Sequence, residues 1–303
     1  MTNRFQKFYA YIAVIGAMFF WGISFVWTKE LLNNGFNVIF IVTTRLAISF
    51  LLLFVVFRLA KKIERIKAKD IPKFLLLAFF EPFLYFIGEN YGLQYVDASF
   101  AAIFIAIIPI VIPFGLRIFC KEKLHPSILI GVLISLIGII ILSLGDGVSF
   151  KASIEGILLL SLAVIAAVGY SVMLSKVLHY SPITITIYQN FIATLYYLPL
   201  FLFVDSSDIT SMHFNTSTIV ALVMLSVFCS SLAFIGYSYC AKRISIAKAS
   251  VFTNTIPIFT IIFAVLMGQE NLTTNKVVGA AIVIGGVFIS QFILKKQKGQ
   301  GVK

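Results

Sequence analysis

The feature that decides what this chain can fold into is a row of long stretches almost free of charge. Residues 8–28 contain no charged side chain, and stretches of similar character recur along the whole chain. A helix needs about 20 mostly apolar residues to cross a bilayer. By that measure ten candidate spans follow one another, at roughly 8–31, 36–58, 74–95, 97–118, 126–144, 154–178, 182–204, 216–241, 246–268 and 276–294. The links between them are short and leave no room for a soluble domain. The uncharged core of the first span is longer than the about 7–15 residues of a signal core, and no small-x-small cleavage site follows it. The pattern predicts an all-α membrane protein with ten transmembrane helices. Composition agrees: 60% of residues are hydrophobic and 12% charged, against about 45–50% and about 25% in soluble domains. Soluble enzymes, secreted modules and disordered chains are excluded.

The formal net charge of +12 does not point to nucleic acid. Basic residues lie in short runs between apolar segments, as they do in the cytoplasmic loops of multi-spanning proteins. With a cytoplasmic N-terminus and ten spans, 20 of the 24 basic residues fall in inside segments. Only Lys29, Arg45, Lys151 and Lys276 fall elsewhere. The expected setting is a multi-pass cell-membrane protein with both termini cytoplasmic. Cys120, Cys229 and Cys240 show no ligand-like spacing, and His125, His179 and His213 are scattered. No metal site, cofactor or nucleotide-binding loop is therefore expected. Gly145, Asp146 and Gly147 form a short outer connection with no second intramembrane aspartate to work with.

The second half echoes the first. PIVIPFGLRIFCKEKLHPSILIGVLISLIG at 109–138 aligns with PIFTIIFAVLMGQENLTTNKVVGAAIVIGG at 257–286. At a constant offset of 148, Pro109 meets Pro257, Glu122 meets Glu270, Leu124 meets Leu272, Gly131 meets Gly279, and Gly138 meets Gly286. GLQY at 92–95 matches GYSY at 236–239. At an offset of 147, Gly22 meets Gly169, Ser24 meets Ser171, and Lys29 meets Lys176. Each unit, 1–149 and 150–303, then holds five spans. Five is odd, so the second unit enters the membrane from the opposite side, giving the inverted repeat used by transporters that alternate access around a midplane site.

FFWGISFVWTK in the first span, YGLQYVDASFAAIFIAIIP across the third and fourth, and the twin Pro…Glu-x-Leu…Gly segments resemble the drug/metabolite transporter superfamily, EamA-type branch. The resemblance covers nearly the full length and rests on order, spacing and duplication together. It implies ten helices, a central substrate cavity, and export or exchange of small metabolites. The substrates of such proteins include amino acids, nucleotides, sugars and toxic organic compounds.

A charge in mid-membrane costs about 2.5–3.5 kcal/mol, so ionisable residues there usually face a cavity or a partner. The third span carries Glu81 and Glu89. At 100° per residue, Glu81, Tyr85, Gly88, Glu89 and Gly92 share an arc of about 100°, while Phe79, Phe83, Phe86 and Asn90 point away. Arg45 in the second span differs in depth from Glu89 by only about 5 Å. The two are expected either to form a structural pair or to leave Arg45 free for a substrate carboxylate. Glu81 has no equal partner by depth and suits a coupling proton or a substrate amine.

Further polar stripes are Trp21, Ser24, Phe25 and Thr28; Thr186, Asn190, Thr194 and Tyr197; Ser226, Ser230 and Tyr237; and Ser250, Thr253 and Asn254 beside Pro257. Each alone suits helix packing; together they suggest a polar, aromatic cavity. The expected site residues are Glu81, Glu89, Arg45, Trp21, Tyr85, Asn190, Asn254 and Tyr237, with Pro109 and Pro257 as paired hinges. Gly131, Ser135, Gly138, Gly279 and Gly286 offer close-packing faces for scaffold or homodimer contact. Lys29 and Lys176 lie near opposite membrane faces, placed for snorkelling or for gating. The expected function is secondary transport, in the export direction, of small amino-acid-like or cationic metabolites. A channel, a structural membrane subunit or an intramembrane enzyme are the alternatives.

Overall fold

The computed structural model describes residues 3–120 and 153–298, with positions 130, 133–134, 137–138 and 141 between them. Among the described residues the chain is helical throughout and has no strand. The expected fifth span, 126–144, the Gly145–Gly147 connection, Glu122, Gly131 and Ser135 lie outside the described residues or almost wholly so. The helices are α1 (Asn3–Asn33), α2 (Val38–Leu59), α3 (Ile71–Ala78), α4 (Tyr85–Tyr95), α5 (Ala98–Ile105), α6 (Ile108–Cys120) and α7 (Ile154–Val177). They continue with α8 (Pro182–Phe201), α9 (Ser206–Thr210), α10 (Thr216–Met224), α11 (Ala233–Ile244), α12 (Ile246–Ser250), α13 (Ile256–Leu266) and α14 (Thr274–Lys298).

Seven helical stretches among the described residues are long and apolar enough to cross a membrane. They are Phe5–Asn33, Val38–Leu59, Ala68–Tyr95, Ala98–Phe119, Ile154–Val177, Thr216–Ile244 and Lys248–Leu266. α8 has 20 residues but carries buried Gln189 and Asn190. Helix starts follow local chemistry. Asn37 accepts the Ile39 N–H at 2.8 Å, Ser153 the Gly156 N–H at 3.1 Å, and Ser181 the Thr184 N–H at 3.1 Å. Asn215 and Thr218 close a reciprocal capping box at the start of α10. Each cap satisfies donors that the first turn would otherwise leave open.

Helices of the first half pack on helices of the second. α1 lies along α11 and α13, α4 along α7, and α2 along α8. Two glycines permit this approach. A Cβ at Gly88 would stand 2.5 Å from the Leu159 carbonyl oxygen, and one at Gly236 would stand 2.7 Å from that of Ala13. Backbones meet directly at these crossings, as small residues allow in membrane bundles.

The third, fourth and ninth of the expected spans are interrupted, and the eighth is locally widened. Between α3 and α4 the helix breaks within Phe79–Leu84, where Glu81 is extended (φ −146°, ψ 122°) and is followed by Pro82. Between α10 and α11 the segment Leu225–Leu232 stays helical but is wound wide. Serines satisfy part of its backbone: Ser226 donates to Leu222 O at 2.6 Å and Ser231 to Ser226 O at 2.9 Å. α5 stops at Ile105 and α6 restarts at Ile108, while the 3-10 segment Val251–Thr255 precedes the restart at Ile256. Ile108 and Ile256 are 148 apart, the repeat offset. Pro109 and Pro257 each occupy the second residue of a new helix, where a missing N–H costs nothing. They therefore follow breaks and do not kink continuous helices.

Loops join at both ends of the bundle. At one end buried Asp70 accepts hydrogen bonds from Lys73 at 2.6 Å and from the Tyr180 hydroxyl at 2.9 Å. At the other end the Asn37 amide donates to Asp208 at 2.9 Å, and His213 N–H to Asn34 O at 3.0 Å.

Candidate functional site

The breaks surround a cavity at the centre of the bundle. It spans about 590 Å³ counting its mouth. α1 contributes Trp21, Ser24 and Phe25, and α2 contributes Arg45. The broken third span supplies Glu81, Tyr85, Phe86 and Glu89; the second half of the chain supplies Tyr170, Ser171, Phe234, Tyr237 and Thr253. Aromatic rings form much of the wall: Trp21 stands 5.3 Å from Tyr237 and 5.2 Å from Phe234, centre to centre. Irregular backbone at membrane depth is tolerated where it lines such a cavity.

Arg45 is held in place. Its Nε donates to Ser230 Oγ at 2.8 Å, and its guanidinium carbon lies 4.3 Å from the centre of the Phe86 ring. Behind it, the Asn190 amide donates to Ser49 Oγ at 2.7 Å and to Ser230 O at 2.8 Å, and Ser49 pairs with Ser231 at 2.6 Å. This polar belt ties α2, α8 and the wide segment Leu225–Leu232 together. The Tyr197 hydroxyl donates to Phe83 O at 2.6 Å, within the broken turn.

Glu81 and Glu89 are buried, at 8% and 6% exposure, and line the same cavity. Neither carboxylate forms a hydrogen bond or an ion pair within 4.0 Å with a described residue. Arg45 and Glu89 face the cavity together without closing a direct pair. The arrangement offers two open carboxylates and one fixed guanidinium, formally one negative charge in excess when all are ionised. An amine can be received at the carboxylates, and a carboxylate at the remaining guanidinium donors.

Six expected site residues thus come together: Trp21, Arg45, Glu81, Tyr85, Glu89 and Tyr237. Asn190 and Asn254 are buried but do not line the cavity. Gly88 and Gly92 leave the arc drawn through Glu81 and pack on α7. Phe86, expected to point away, lines the cavity beneath Arg45. Asn90 donates to Phe86 O at 2.9 Å, a local bond that accounts for its place away from the acids. Tyr170 and Phe234 are additions. Tyr170 stands between Gly169 and Ser171, the repeat mates of Gly22 and Ser24, so the wall formed by α1 pointed to its counterpart on α7.

The EamA-like transporter family matches this chain twice, at residues 8–144 and 154–292. An uncharacterized transporter of Archaeoglobus fulgidus is 30% identical over 274 residues, covering 89% of this chain and 94% of that protein. The Bacillus subtilis uncharacterized transporter YetK is 26% identical, covering 95% and 88%. A protein of Streptantibioticus cattleyicolor named as a probable terminal-alkyne amino-acid exporter is 22% identical, covering 75% of each chain. A solved crystal structure, 18% identical, superposes with a TM-score of 0.71 over 95% of this chain and 98% of the other, which establishes likeness of fold. Matched in both halves, the chain belongs to the EamA-like transporter family.

Proposed function

We propose that this transporter has ten spans in two inverted five-helix units, 1–149 and 150–303, and carries small amine-bearing metabolites outward by alternating access. Amino-acid-like zwitterions and organic cations are the substrate class. The observation that carries the reading is the pair of buried carboxylates, Glu81 and Glu89, open to one aromatic cavity without a hydrogen-bond or ion-pair partner among the described residues. Trp21, Tyr85 and Tyr237 receive apolar or cationic groups by cation–π contact, Arg45 receives a carboxylate, and Glu81 carries the coupling proton. Pro109 and Pro257, next to the breaks, are the hinges. Export is favoured by the named activity of the Streptantibioticus relative. The distribution of Lys and Arg supports cytoplasmic termini in the cell membrane.

A thermal-shift screen of purified protein against amino acids, nucleosides and quaternary amines tests the substrate class. Amine-bearing compounds should stabilise the wild type and lose that effect in Glu89→Gln. Stabilisation by nucleosides alone, or unaltered stabilisation in Glu81→Gln and Glu89→Gln, contradicts it.

A further inference from the structure

Ser24 and Ser171 both line the cavity, and each is followed five residues later by a lysine, Lys29 and Lys176. The pairs are repeat mates at offset 147, and each lysine lies about 7.5 Å along its helix from the cavity. Under the inverted topology proposed above, the two point to opposite faces of the membrane.

Their present contacts differ completely. The Lys29 ammonium donates to Leu93 O at 2.6 Å and to Val96 O at 3.0 Å, fastening α1 to the end of α4. The same end is tied to the turn between α13 and α14. Glu270 accepts the Ser99 N–H at 3.0 Å and the Lys276 ammonium at 2.7 Å, and Lys276 lies 3.6 Å from Asp97. The Gln269 amide adds a bond to Val26 O at 3.1 Å. Under the topology proposed above, this is the outer end of the bundle. Lys176, in contrast, is exposed and makes no hydrogen bond or ion pair with a described residue. The loop contacts at Asp70–Tyr180 and Asn37–Asp208 are closed at both faces. At the inner end the Lys242 ammonium already holds the turn after α7, at His179 O (3.2 Å) and Tyr180 O (2.7 Å), so what differs between the faces is the repeat-mate lysine itself, engaged at Lys29 and unengaged at Lys176.

We propose that Lys29 and Lys176 are alternating latches: Lys29 shuts the outer end in the state seen here, and Lys176 makes the mirror contacts when the inner end shuts. Asp97 and Ser245, the residues before α5 and α12, are repeat mates at offset 148. Tyr85 and Ala233, the first residues of α4 and α11, are also 148 apart, so the structure shifts the pairing of these helices by four residues from the GLQY–GYSY match, and the carbonyls of Leu93 and Val96 correspond to those of Ala241 and Ile244, at the end of α11. Lys176 therefore fastens α7 to the end of α11 in the alternate state. This inference rests on the alternating-access reading and adds the residues that hold each state.

The test needs no substrate. Full-length protein carrying Ser24→Cys, with native thiols replaced by alanine, is placed in oriented membrane vesicles. A membrane-impermeant maleimide is then applied from each face. Lys29→Met removes a charged donor from two carbonyls and should raise outer-face labelling about tenfold. Lys176→Met should lower it, and the double variant should return towards the parent ratio. Lys29→Arg, which keeps a charged donor, should stay near the parent and checks that loss of charge and not of fold is read. Labelling that is unchanged in both methionine variants, or shifted in the same direction by both, overturns the latches. Labelling from neither face in any variant sinks the alternating-access reading and the latches with it.

Discussion

Replacing Ser230 by alanine removes one atom, the acceptor at 2.8 Å from Arg45 Nε, and leaves the backbone oxygen that Asn190 uses intact. Arg45 is 2% exposed, so water cannot replace that acceptor at no cost. Hydrogen bonds to charged groups contribute about 1.5–3 kcal/mol in soluble proteins. Interhelical bonds in membranes average about 0.6 and reach about 1.7 kcal/mol. Ser230→Ala should therefore destabilise by about 1–2 kcal/mol, seen as a melting temperature lower by a few degrees. In an Arg45→Met background the same change removes a hydroxyl whose partner is already gone, so it should be neutral or slightly stabilising. The cycle is read by thermal unfolding of all four proteins in one detergent. Equal effects of Ser230→Ala in both backgrounds, within about 0.3–0.5 kcal/mol, would refute the claim that Ser230 positions the guanidinium.

Three further outcomes are expected. Gly88→Ala should lower the melting temperature by an amount matching about 1–3 kcal/mol, because the added carbon meets backbone atoms Leu159 O at 2.5 Å and Ala163 N at 2.7 Å. Gly16→Ala meets nothing within 4 Å and should hold or raise it; equal losses at both positions would contradict the close crossing of α4 and α7. In proteoliposomes Glu81→Gln should abolish pH-dependent transport while the protein elutes as a folded, monodisperse species, and retained pH dependence removes Glu81 from coupling. Asp70→Asn should reduce thermal stability more than Tyr180→Phe, since Asp70 also accepts from Lys73 and lies 3.4 Å from the His179 ring; the reverse order would place the strength of that clasp elsewhere.

The long uncharged runs and their duplicated Pro and Gly positions are visible in the sequence because the bilayer imposes length and the repeat imposes spacing. The face of α1 is legible for a related reason. α1 runs unbroken from Asn3 to Asn33, so rotation at a fixed angle groups Trp21, Ser24 and Phe25, which line the cavity, with Thr28, which does not. The third span defeats the same arithmetic. Its break at Glu81 within Phe79–Leu84 resets the phase, bringing Phe86 into the cavity and turning Gly88 and Gly92 to α7. Pro82, inside an apolar run, is the sequence signal for that break. The widening at Leu225–Leu232 contains no proline, and its serines become readable as backbone partners only once the helix is seen. Asn190 looks the same on a helical wheel whether it faces a cavity or a neighbour; the structure points it at Ser49 and Ser230.

Counterflow tests the central claim most directly: a central cavity that carries an amine-bearing solute by alternating access. The amine that stabilises the purified protein most is loaded inside proteoliposomes, and uptake of the labelled compound is followed from outside. Saturable uptake that depends on the internal load, and that is lost in Glu89→Gln, is the predicted result. Uptake that rises linearly with concentration and ignores the internal load would instead indicate a pore and contradict the account.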